Sequence, residues 1–258
     1  MSYTTILVEQ KDQICKLLFN RPKVLNAMSD DMRFELQYFF KSAAEDKELR
    51  ALIVSGQGRA FSAGADLSVL KQRYQISQQS GQNDGDRYML LPKILSSFPK
   101  PIIAAVNGPA VGFGATITLN CDIRLASTEA SFCFPFARLG LTPEFCSSYL
   151  LPRLIGFGKA AELLYTARTI DAHEALSIGL VNRVVSPDEL LPEAYKIASQ
   201  IVAFSPRSIQ NTKKLLRHGS HSTLDQVIEY EYLTFQDAAK SSEHYEAVCR
   251  LIQKMSKK

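Results

Sequence analysis

Two similar junctions constrain the fold of this chain more than any other feature of its sequence. They read ALIVSGQGRAFSAGADL (residues 51–67) and PIIAAVNGPAVGFGATITL (residues 101–119), and each runs from a short apolar strand through a turn of small residues into a predicted helix. Glycine and alanine allow a ligand to approach the backbone of such a turn, and the first N–H groups of the following helix point outward as free donors. Two turns of this kind can place two peptide N–H groups on one oxygen atom, which is the requirement for an oxyanion hole.

The first third of the chain predicts a hairpin followed by a helix. TTILVEQ and QICKLLF are β-rich runs, and the polar turn between them contains Lys11 and Asp12. Residues 32–44 show helical periodicity, and Ser29 or Asp30 is placed to cap that helix. Together with the two junctions, this alternation of strands and helices indicates an α/β fold.

The remaining elements extend this pattern. The polar run at residues 71–87, rich in Gln, Ser and Gly, is predicted to be a mobile surface segment, and a helix is predicted near residues 88–98. CDIRLAS and ASFCF supply further strands, and helices dominate from Leu154 onward. We therefore divide the chain at a soft boundary into a core at residues 1–200 and a helical carboxy-terminal region at residues 201–258.

Composition excludes several classes of protein. The chain has 258 residues, of which 46% are hydrophobic, so it can bury a sizeable core. Its net charge of +4 is a mild excess without any nucleic-acid-binding motif, so no nucleic-acid partner is predicted. No apolar run reaches transmembrane length, and the first residues lack the layout of a signal peptide. We therefore expect that the protein is located in the cytoplasm and that it has no membrane partner.

Common ligand-binding motifs are also missing. The five cysteines contain no C-x-x-C pair, so neither a zinc site, any other metal site nor a disulfide framework is predicted. The third glycine of a dinucleotide-binding fingerprint is absent after G-F-G, and there is no phosphate-binding G-x-x-x-x-G-K-[ST] loop. No G-x-S-x-G motif surrounds Ser147 or Ser148, and all four histidines lie in the last third of the chain. A Ser-His catalytic site is therefore unsupported.

An isolated carboxylate remains as the strongest candidate for chemistry. Glu144, in the run LGLTPEFCSSYLLPRLIG, is the only acidic residue between Glu129 and Glu162. The local pattern favours a structural role, because Thr142 can be an N-cap, Pro143 suits the first position of a helix, and an acid stabilises the first turn. Helix capping and proton transfer therefore both remain open at this position.

Three separated motifs resemble one family. AFSAGADL, IIAAVNGPAVGFGATITLNCDIRLAS and RTIDAHEALSIGLVNRVV are together similar to the enoyl-CoA hydratase/isomerase (crotonase) superfamily. The resemblance implies an α/β crotonase-type spiral of ββα units with a helical C-terminal trimerisation region. It also implies acyl-CoA thioester substrates, assembly as a homotrimer or a dimer of trimers, and no cofactor, since coenzyme A is part of the substrate.

The resemblance also assigns site residues. It implies backbone oxyanion-hole donors at Ala65 and Phe113, and it lines the substrate path with the RPKVLNA turn, the two glycine turns and the segment FCFPFARLG. The substrate-binding candidates are Lys23, Val24, Ala63, Gly64, Asp66, Leu67, Gly112 and Phe136. Lys213 or Lys214 is a further candidate for the 3′-phosphate of coenzyme A.

Departures from the family pattern distinguish the reaction. The hydratase pattern of this family has a glutamate at each of the positions that Thr116 and Phe136 occupy in this chain. Threonine and phenylalanine cannot act as acids or bases there. The run FPFARLGLTPEFCSSYLLPRLIG instead resembles peroxisomal-type Δ3,Δ2-enoyl-CoA isomerases (the dodecenoyl-CoA isomerase type), in which a glutamate at the Glu144 position is the single base. That resemblance implies conversion of 3-cis- or 3-trans-enoyl-CoA to 2-trans-enoyl-CoA in fatty-acid β-oxidation. The alternatives are another crotonase-type reaction, such as hydration, or a non-catalytic acyl-CoA-binding scaffold.

Two properties of this site stay open in the sequence. A helix N-terminus would favour the Glu144 anion, whereas burial among Phe145, Leu141 and Phe136 would disfavour it. For the acyl chain, a mobile segment at residues 71–87 would admit medium and long chains, whereas the aromatic side chains could restrict the pocket to short ones.

Overall fold

The computed structural model describes residues 3–80 and 85–256, which form nine strands and eleven α-helices. The strands are β1 (Ile6–Lys11), β2 (Ile14–Phe19), β3 (Ala51–Gly56), β4 (Ile102–Val106), β5 (Pro109–Val111), β6 (Ile123–Ser127), β7 (Ser131–Cys133), β8 (Thr169–Asp171) and β9 (Arg183–Val185). The helices are α1 (Asp30–Glu45), α2 (Leu67–Ser80), α3 (Gly85–Ser97), α4 (Phe113–Leu119), α5 (Ser147–Ile155), α6 (Phe157–Thr166), α7 (Ala172–Ser177), α8 (Pro187–Val202), α9 (Pro206–Gly219), α10 (Leu224–Ala239) and α11 (Ser242–Met255).

The strands form two sheets. The larger has the order β1-β2-β3-β4-β6-β9, in which only the β1–β2 pair is antiparallel. The smaller has the order β5-β7-β8. The first four strands belong to the larger sheet, and from β4 onward the chain passes back and forth between the two sheets, with helices between most of the strands. The predicted α/β class is therefore confirmed.

The central strands are apolar along their whole length because both of their faces are covered. In β3, Leu52 and Val54 face the core shared with α1, α3 and the smaller sheet, whereas Ala51 and Ile53 face α8. The residues of β4 alternate between the same two cores. Parallel strands covered on both faces read as continuous hydrophobic runs, which is the pattern of both junctions.

The predicted hairpin and first helix are confirmed. Asp12 and Gln13 form a two-residue turn between β1 and β2, and both have positive φ angles, of 50° and 68°. Such a turn matches the right-handed twist of the two strands. Ser29 is the N-cap of α1, because its hydroxyl accepts a hydrogen bond from the N–H of Met32.

The segment at residues 71–87, predicted as a mobile loop on the surface, is helical in the part that the structure describes, so the loop is wrong and its mobility stays a prediction. Residues 71–80 belong to α2 and residues 85–87 to α3, while residues 81–84 lie outside the described ranges. The run has no proline, and its Lys, Gln and Arg residues are good helix formers, so polarity alone did not indicate a loop. The helix predicted near residues 88–98 is confirmed as part of α3.

Two basic residues attach α9 to the loops that precede β4 and β6 and to the end of α3. The buried Lys213 ammonium lies 2.6 Å from a carboxylate oxygen of Asp122 and 2.6 Å from the carbonyl oxygen of Lys100. Arg217 donates hydrogen bonds to carbonyl groups at the end of α3. The prediction that Lys213 could reach a phosphate of coenzyme A is therefore wrong, whereas Lys214 is exposed.

Neither a membrane span nor a metal site can be assigned in the described part of the chain. No helix within residues 3–80 and 85–256 is long and apolar enough to cross a membrane. Those residues also contain no group of three His, Cys, Asp or Glu side chains that could hold a metal ion.

Candidate active site

The two glycine turns lie side by side. The N–H of Ser62 donates to the carbonyl of Pro109 at 3.1 Å, and the N–H of Val111 donates to the carbonyl of Ser62 at 2.9 Å. These bonds form a parallel bridge between Ser62 and Ala110, which joins the first turn to β5. The loop that precedes α1 adds a second bridge, between Met28 and Ala65. These backbone hydrogen bonds hold the two glycine turns together, as the prediction that both turns act on one oxygen atom requires.

Glycine is required where the two turns touch. Gly64 has a φ of 95°, and a Cβ atom there would lie 2.7 Å from the carbonyl oxygen of Val111. A Cβ atom on Gly114 would lie 2.3 Å from the carbonyl oxygen of Ser62. Side chains at either position would separate the turns, so the glycines set how closely the two backbones approach each other.

The N–H groups of Ala65 and Phe113 remain available as donors. Their neighbours are occupied, because the N–H of Gly112 donates to the carbonyl of Cys133 and the N–H of Asp66 donates to the carbonyl of Met28. Within the described residues, no acceptor is recorded for the N–H of Ala65 or of Phe113. Phe113 is the first residue of α4, where the helix itself supplies no acceptor. These properties are those expected of oxyanion-hole donors.

Glu144 does not belong to a helix, so the predicted capping role is wrong. It lies in the loop before α5, whose N-cap is Cys146 rather than Thr142. Phe145 and Cys146 both have left-handed φ angles, of 56° and 63°, which turn the chain before the helix starts. The carbonyl of Glu144 accepts hydrogen bonds from the N–H and hydroxyl of Ser147, at 3.0 and 2.6 Å. The backbone of Glu144 organises the turn, and its side chain is left for another role.

The carboxylate of Glu144 is directed towards α4. The hydroxyl of Thr116 donates to Glu144 Oε1 at 2.8 Å. Burial raises the pKa of Glu144, while the Thr116 hydrogen bond and the positive charge of Arg33 oppose that rise. The competition left open by the sequence is therefore decided in favour of burial, which makes the carboxylate a stronger base.

Aromatic side chains pack at Phe113, which carries a candidate donor, and at Phe145, which follows Glu144. The rings of Phe113 and Phe145 meet edge to face, with centroids 5.3 Å apart, and the Phe19 ring is tilted against Phe113 with centroids 6.2 Å apart. Phe136 is buried in the same core. Phe136 contributes no acid or base, and its contact with substrate stays a prediction.

Two segments predicted to line the coenzyme A path are joined by a backbone hydrogen bond. Lys23 and Val24 are exposed in a short 3₁₀ turn, and the next residue, Leu25, accepts a hydrogen bond from the N–H of Ala63 at 2.8 Å. Leu67 is exposed at the start of α2. These positions lie next to the first glycine turn, and their contact with substrate stays a prediction.

Asp66 has a structural function in addition to its predicted one. Its carboxylate accepts from the hydroxyl of Ser68 at 2.6 Å and pairs with Arg21 at 3.2 Å, and these contacts lower the pKa of Asp66. The carboxylate therefore fixes the first turn to the start of α2. Its role in substrate binding stays a prediction.

Sequence reasoning missed three residues of this site. It treated Thr116 only as a replacement for an acid, and it did not identify Asn120 or Arg33. Asn120 donates from Nδ2 to the carbonyl groups of Thr116 and Phe145, both at 3.3 Å. A polar residue at the end of the buried run ATITLN could have indicated Asn120, whereas nothing in the local sequence around Arg33 predicts its proximity to Glu144.

The arrangement is suited to proton transfer beside a developing oxyanion. Two free backbone donors can stabilise negative charge on a carbonyl oxygen. A basic carboxylate is attached to the same helix that carries one of those donors. Such a pair can remove a proton from the carbon atom next to a thioester carbonyl and stabilise the resulting enolate.

Comparisons with known proteins agree with this geometry. The family model described as "Enoyl-CoA hydratase/isomerase" matches residues 9–257. The chain is 36% identical to the short-chain-enoyl-CoA hydratase of Clostridium acetobutylicum, covering 98% of this chain and 97% of that protein. It is 34% identical to the crotonyl-CoA hydratase of Syntrophomonas wolfei, with the same coverage of 98% and 97%.

A solved structure matches the fold over nearly the whole chain. The enoyl-CoA hydratase from Bacillus anthracis superimposes with a TM-score of 0.89 at 30% identity, covering 97% of each chain. The crotonase-type fold with a helical C-terminal region is thus confirmed. The named relatives are hydratases, so the resemblance to isomerases is not specifically supported by them. The family match, the superposition and the paired glycine turns lead to one conclusion: this chain belongs to the enoyl-CoA hydratase/isomerase family, whose enzymes act on acyl-CoA thioesters.

Proposed function

We propose that the protein is a Δ3,Δ2-enoyl-CoA isomerase with Glu144 as its base. The observation that carries this proposal is the partly buried carboxylate of Glu144, which is hydrogen-bonded to α4 one turn from the free N–H of Phe113. Burial raises the pKa of this carboxylate and so favours proton abstraction. The Thr116 hydrogen bond keeps the side chain in place beside the donor.

A single carboxylate is sufficient for isomerisation. Glu144 removes a proton from C2 of a 3-enoyl thioester, and the C–H electron pair moves into a dienolate whose charge lies on the thioester oxygen. The N–H groups of Ala65 and Phe113 stabilise that oxygen. Glu144 then returns the proton to C4, which gives the 2-trans-enoyl thioester. The reaction is redox-neutral and adds no water, so its chemistry requires no cofactor beyond the coenzyme A of the substrate.

Hydration is the second candidate, because both of the relatives compared above are named hydratases. Addition of water to a 2-enoyl thioester requires groups that activate the water and deliver a proton. By resemblance to the family, those groups are glutamates at the positions of Thr116 and Phe136, and Glu144 would here have to perform both steps. The side chains present at these two positions therefore favour isomerisation over hydration.

One pair of assays distinguishes the candidates. The protein is incubated with 3-cis- and 3-trans-enoyl-CoA, and separately with 2-trans-enoyl-CoA, with Glu144→Gln as the control. Conjugated thioester formed from the 3-enoyl substrates, and lost in the control, supports the isomerase. Faster formation of 3-hydroxyacyl-CoA from 2-trans-enoyl-CoA would favour the hydratase over the isomerase. Binding of both thioesters without turnover would favour an acyl-CoA-binding scaffold.

We further propose that the protein is a homotrimer or a dimer of trimers, located in the cytoplasm. The last three helices carry large apolar side chains that are exposed in a single chain, namely Leu216, Leu224, Ile228, Phe235, Leu251 and Met255. Exposed apolar surface of this kind is typical of subunit contacts. Multi-angle light scattering should give a trimer or hexamer mass, and a monodisperse monomer would refute the proposal. Truncation near Val202 should yield aggregated or unfolded protein.

A further inference from the structure

A single buried hydroxyl group connects the proposed base to the helix that carries an oxyanion-hole donor. Thr116 has no exposed surface, and its Oγ1 lies 2.8 Å from Glu144 Oε1 and 3.3 Å from the carbonyl oxygen of Phe113. A hydroxyl has one proton to donate, and a charged acceptor forms the shorter and stronger bond. The geometry therefore assigns that proton to the carboxylate when Glu144 is ionised.

The other oxygen of the Glu144 carboxylate, Oε2, has different surroundings. Among the described residues, no hydrogen-bond donor is recorded for Glu144 Oε2, and Glu144 has no ion pair at contact distance. One oxygen of the carboxylate is therefore occupied by Thr116, whereas the other is available to a ligand. A carboxylate held in this way presents one defined oxygen rather than two interchangeable ones.

A second attachment fixes the main chain beside Glu144. Asn120, one helical turn after Thr116, donates to the carbonyl of Phe145 at 3.3 Å and is itself buried. Helix α4 thus carries the Phe113 donor at its first residue, holds the carboxylate through Thr116 and holds the following peptide through Asn120. The distance between the oxyanion donor and the base is set within one short helix.

We propose that Thr116 is a positioning residue: its hydroxyl holds Oε1 of Glu144, so that Oε2 is the oxygen that takes the proton from C2 and returns it to C4. This inference rests on the isomerase proposed above. Thr116 stands at a position where the hydratase pattern has a glutamate. The inference gives Thr116 a distinct function, which is to support a base that lies on another loop. The same hydroxyl can turn towards the Phe113 carbonyl while Glu144 is transiently protonated.

Loss of the hydroxyl has two expected effects. The carboxylate would lose the one hydrogen bond recorded for it in the described residues, so its side chain would sample other rotamers and its reacting oxygen would be misplaced. The anion would also lose a stabilising contact, so the pKa of Glu144 would rise further above its ordinary value. Binding of substrate should change less than turnover, because Thr116 is buried beneath the carboxylate.

The test compares Thr116→Val, which keeps the shape and removes the hydroxyl, with Thr116→Ser, which retains the donor. Thr118→Val is the matched control, because Thr118 is equally buried in α4 but donates to the carbonyl of Ala115 instead. For each variant, kcat, KM and the pH profile are measured with 3-enoyl-CoA. The pKa of Glu144 is measured separately by carbon-13 NMR of labelled glutamate, with the signal assigned from Glu144→Gln.

We expect Thr116→Val to lower kcat by about 10- to 100-fold with little change in KM, and to shift the acidic limb of the profile to higher pH. Thr116→Ser should restore most of kcat, and Thr118→Val should leave both kcat and the Glu144 pKa near wild type. An unchanged kcat and Glu144 pKa in Thr116→Val, or an equal effect of Thr118→Val, would overturn the proposal.

Two further outcomes are informative. If Thr116→Val does not fold, Thr116→Ala replaces it with the same expected results, and a wild-type Glu144 pKa in that variant would overturn the proposal. If the wild-type protein shows no isomerase activity, the proposed function fails while the NMR titration still tests the contact. A raised Glu144 pKa in Thr116→Val and a normal one in Thr116→Ser would then support the positioning role without the isomerase.

Discussion

Replacement of Gly114 by alanine tests whether the contact between the two glycine turns sets the active-site geometry. Gly114 is the second residue of α4, and an added Cβ atom would lie 2.3 Å from the carbonyl oxygen of Ser62 and 2.9 Å from its Cβ atom. Cβ atoms essentially never approach another heavy atom closer than 3.0 Å, so α4 and the first turn must separate by about 0.7 Å or more. The obstacle is backbone, which cannot rotate away as a flexible side chain could.

The expected magnitude follows from two opposing terms. Overpacking of this kind costs about 1–3 kcal/mol of unfolding free energy, and the higher helix propensity of alanine returns up to about 1 kcal/mol. The net loss of stability should therefore lie between about 0 and 3 kcal/mol. The effect on turnover should be larger, because a misplacement of about 1 Å between reacting groups can reduce the rate about 100-fold. Helix α4 carries both the Phe113 donor and Thr116, so its displacement moves the donor relative to Ala65.

Gly158→Ala is the matched control. Gly158 is also the second residue of a helix, α6, and an added Cβ atom there would have no heavy atom within 4 Å. Urea unfolding and kcat/KM are measured for both variants, with the acyl-CoA reaction that the wild-type protein performs. Gly158→Ala should be as active as wild type and equally or slightly more stable. If Gly114→Ala matched Gly158→Ala in both measurements, the reasoning from close backbone approach would be refuted.

Three further predictions concern the base, the buried thiols and the acyl chain. Glu144→Gln keeps the shape of the side chain, so kcat should fall by about 100- to 10,000-fold while the melting temperature changes little; a sharp fall in melting temperature with retained activity would contradict the catalytic role. Burial raises the pKa of Cys15 and of Cys121 to about 12 from 9.0, so the folded protein binds more protons than the unfolded chain between pH 9 and pH 12. Its unfolding free energy should therefore fall as pH rises through that window, and a Cys15→Ala/Cys121→Ala variant should show a flatter urea-unfolding profile against pH; an equal slope would contradict the argument. Turnover across six-, ten- and fourteen-carbon 3-enoyl-CoAs should show no steep fall with length, because α2 beside the site is polar and largely exposed; a steep fall above six carbons would indicate that Phe113 and Phe145 close the pocket.

The sequence by itself determined the fold class and the position of the two glycine turns. The apolar runs of β3 and β4, the small residues after them and the hairpin turn at Asp12 are local signals, because each depends on residues that are neighbours in the chain. The cap of α1 was narrowed to Ser29 or Asp30 for the same reason, and the structure shows that it is Ser29. The donors at Ala65 and Phe113 came from the family resemblance, and their free N–H groups agree with it.

Only the tertiary structure decided which groups surround Glu144 and Thr116. Local pattern placed Glu144 in the first turn of a helix, but left-handed residues at Phe145 and Cys146 end that possibility. The contact that matters joins residues 28 positions apart, and it depends on how α4 packs against the loop before α5. Burial, which sets the direction of the Glu144 pKa, is likewise a property of the folded chain. A hydroxyl and a carboxylate have no preference for each other until the fold removes the water between them, and for that reason the sequence could single out Glu144 as a candidate base without showing how its carboxylate is held.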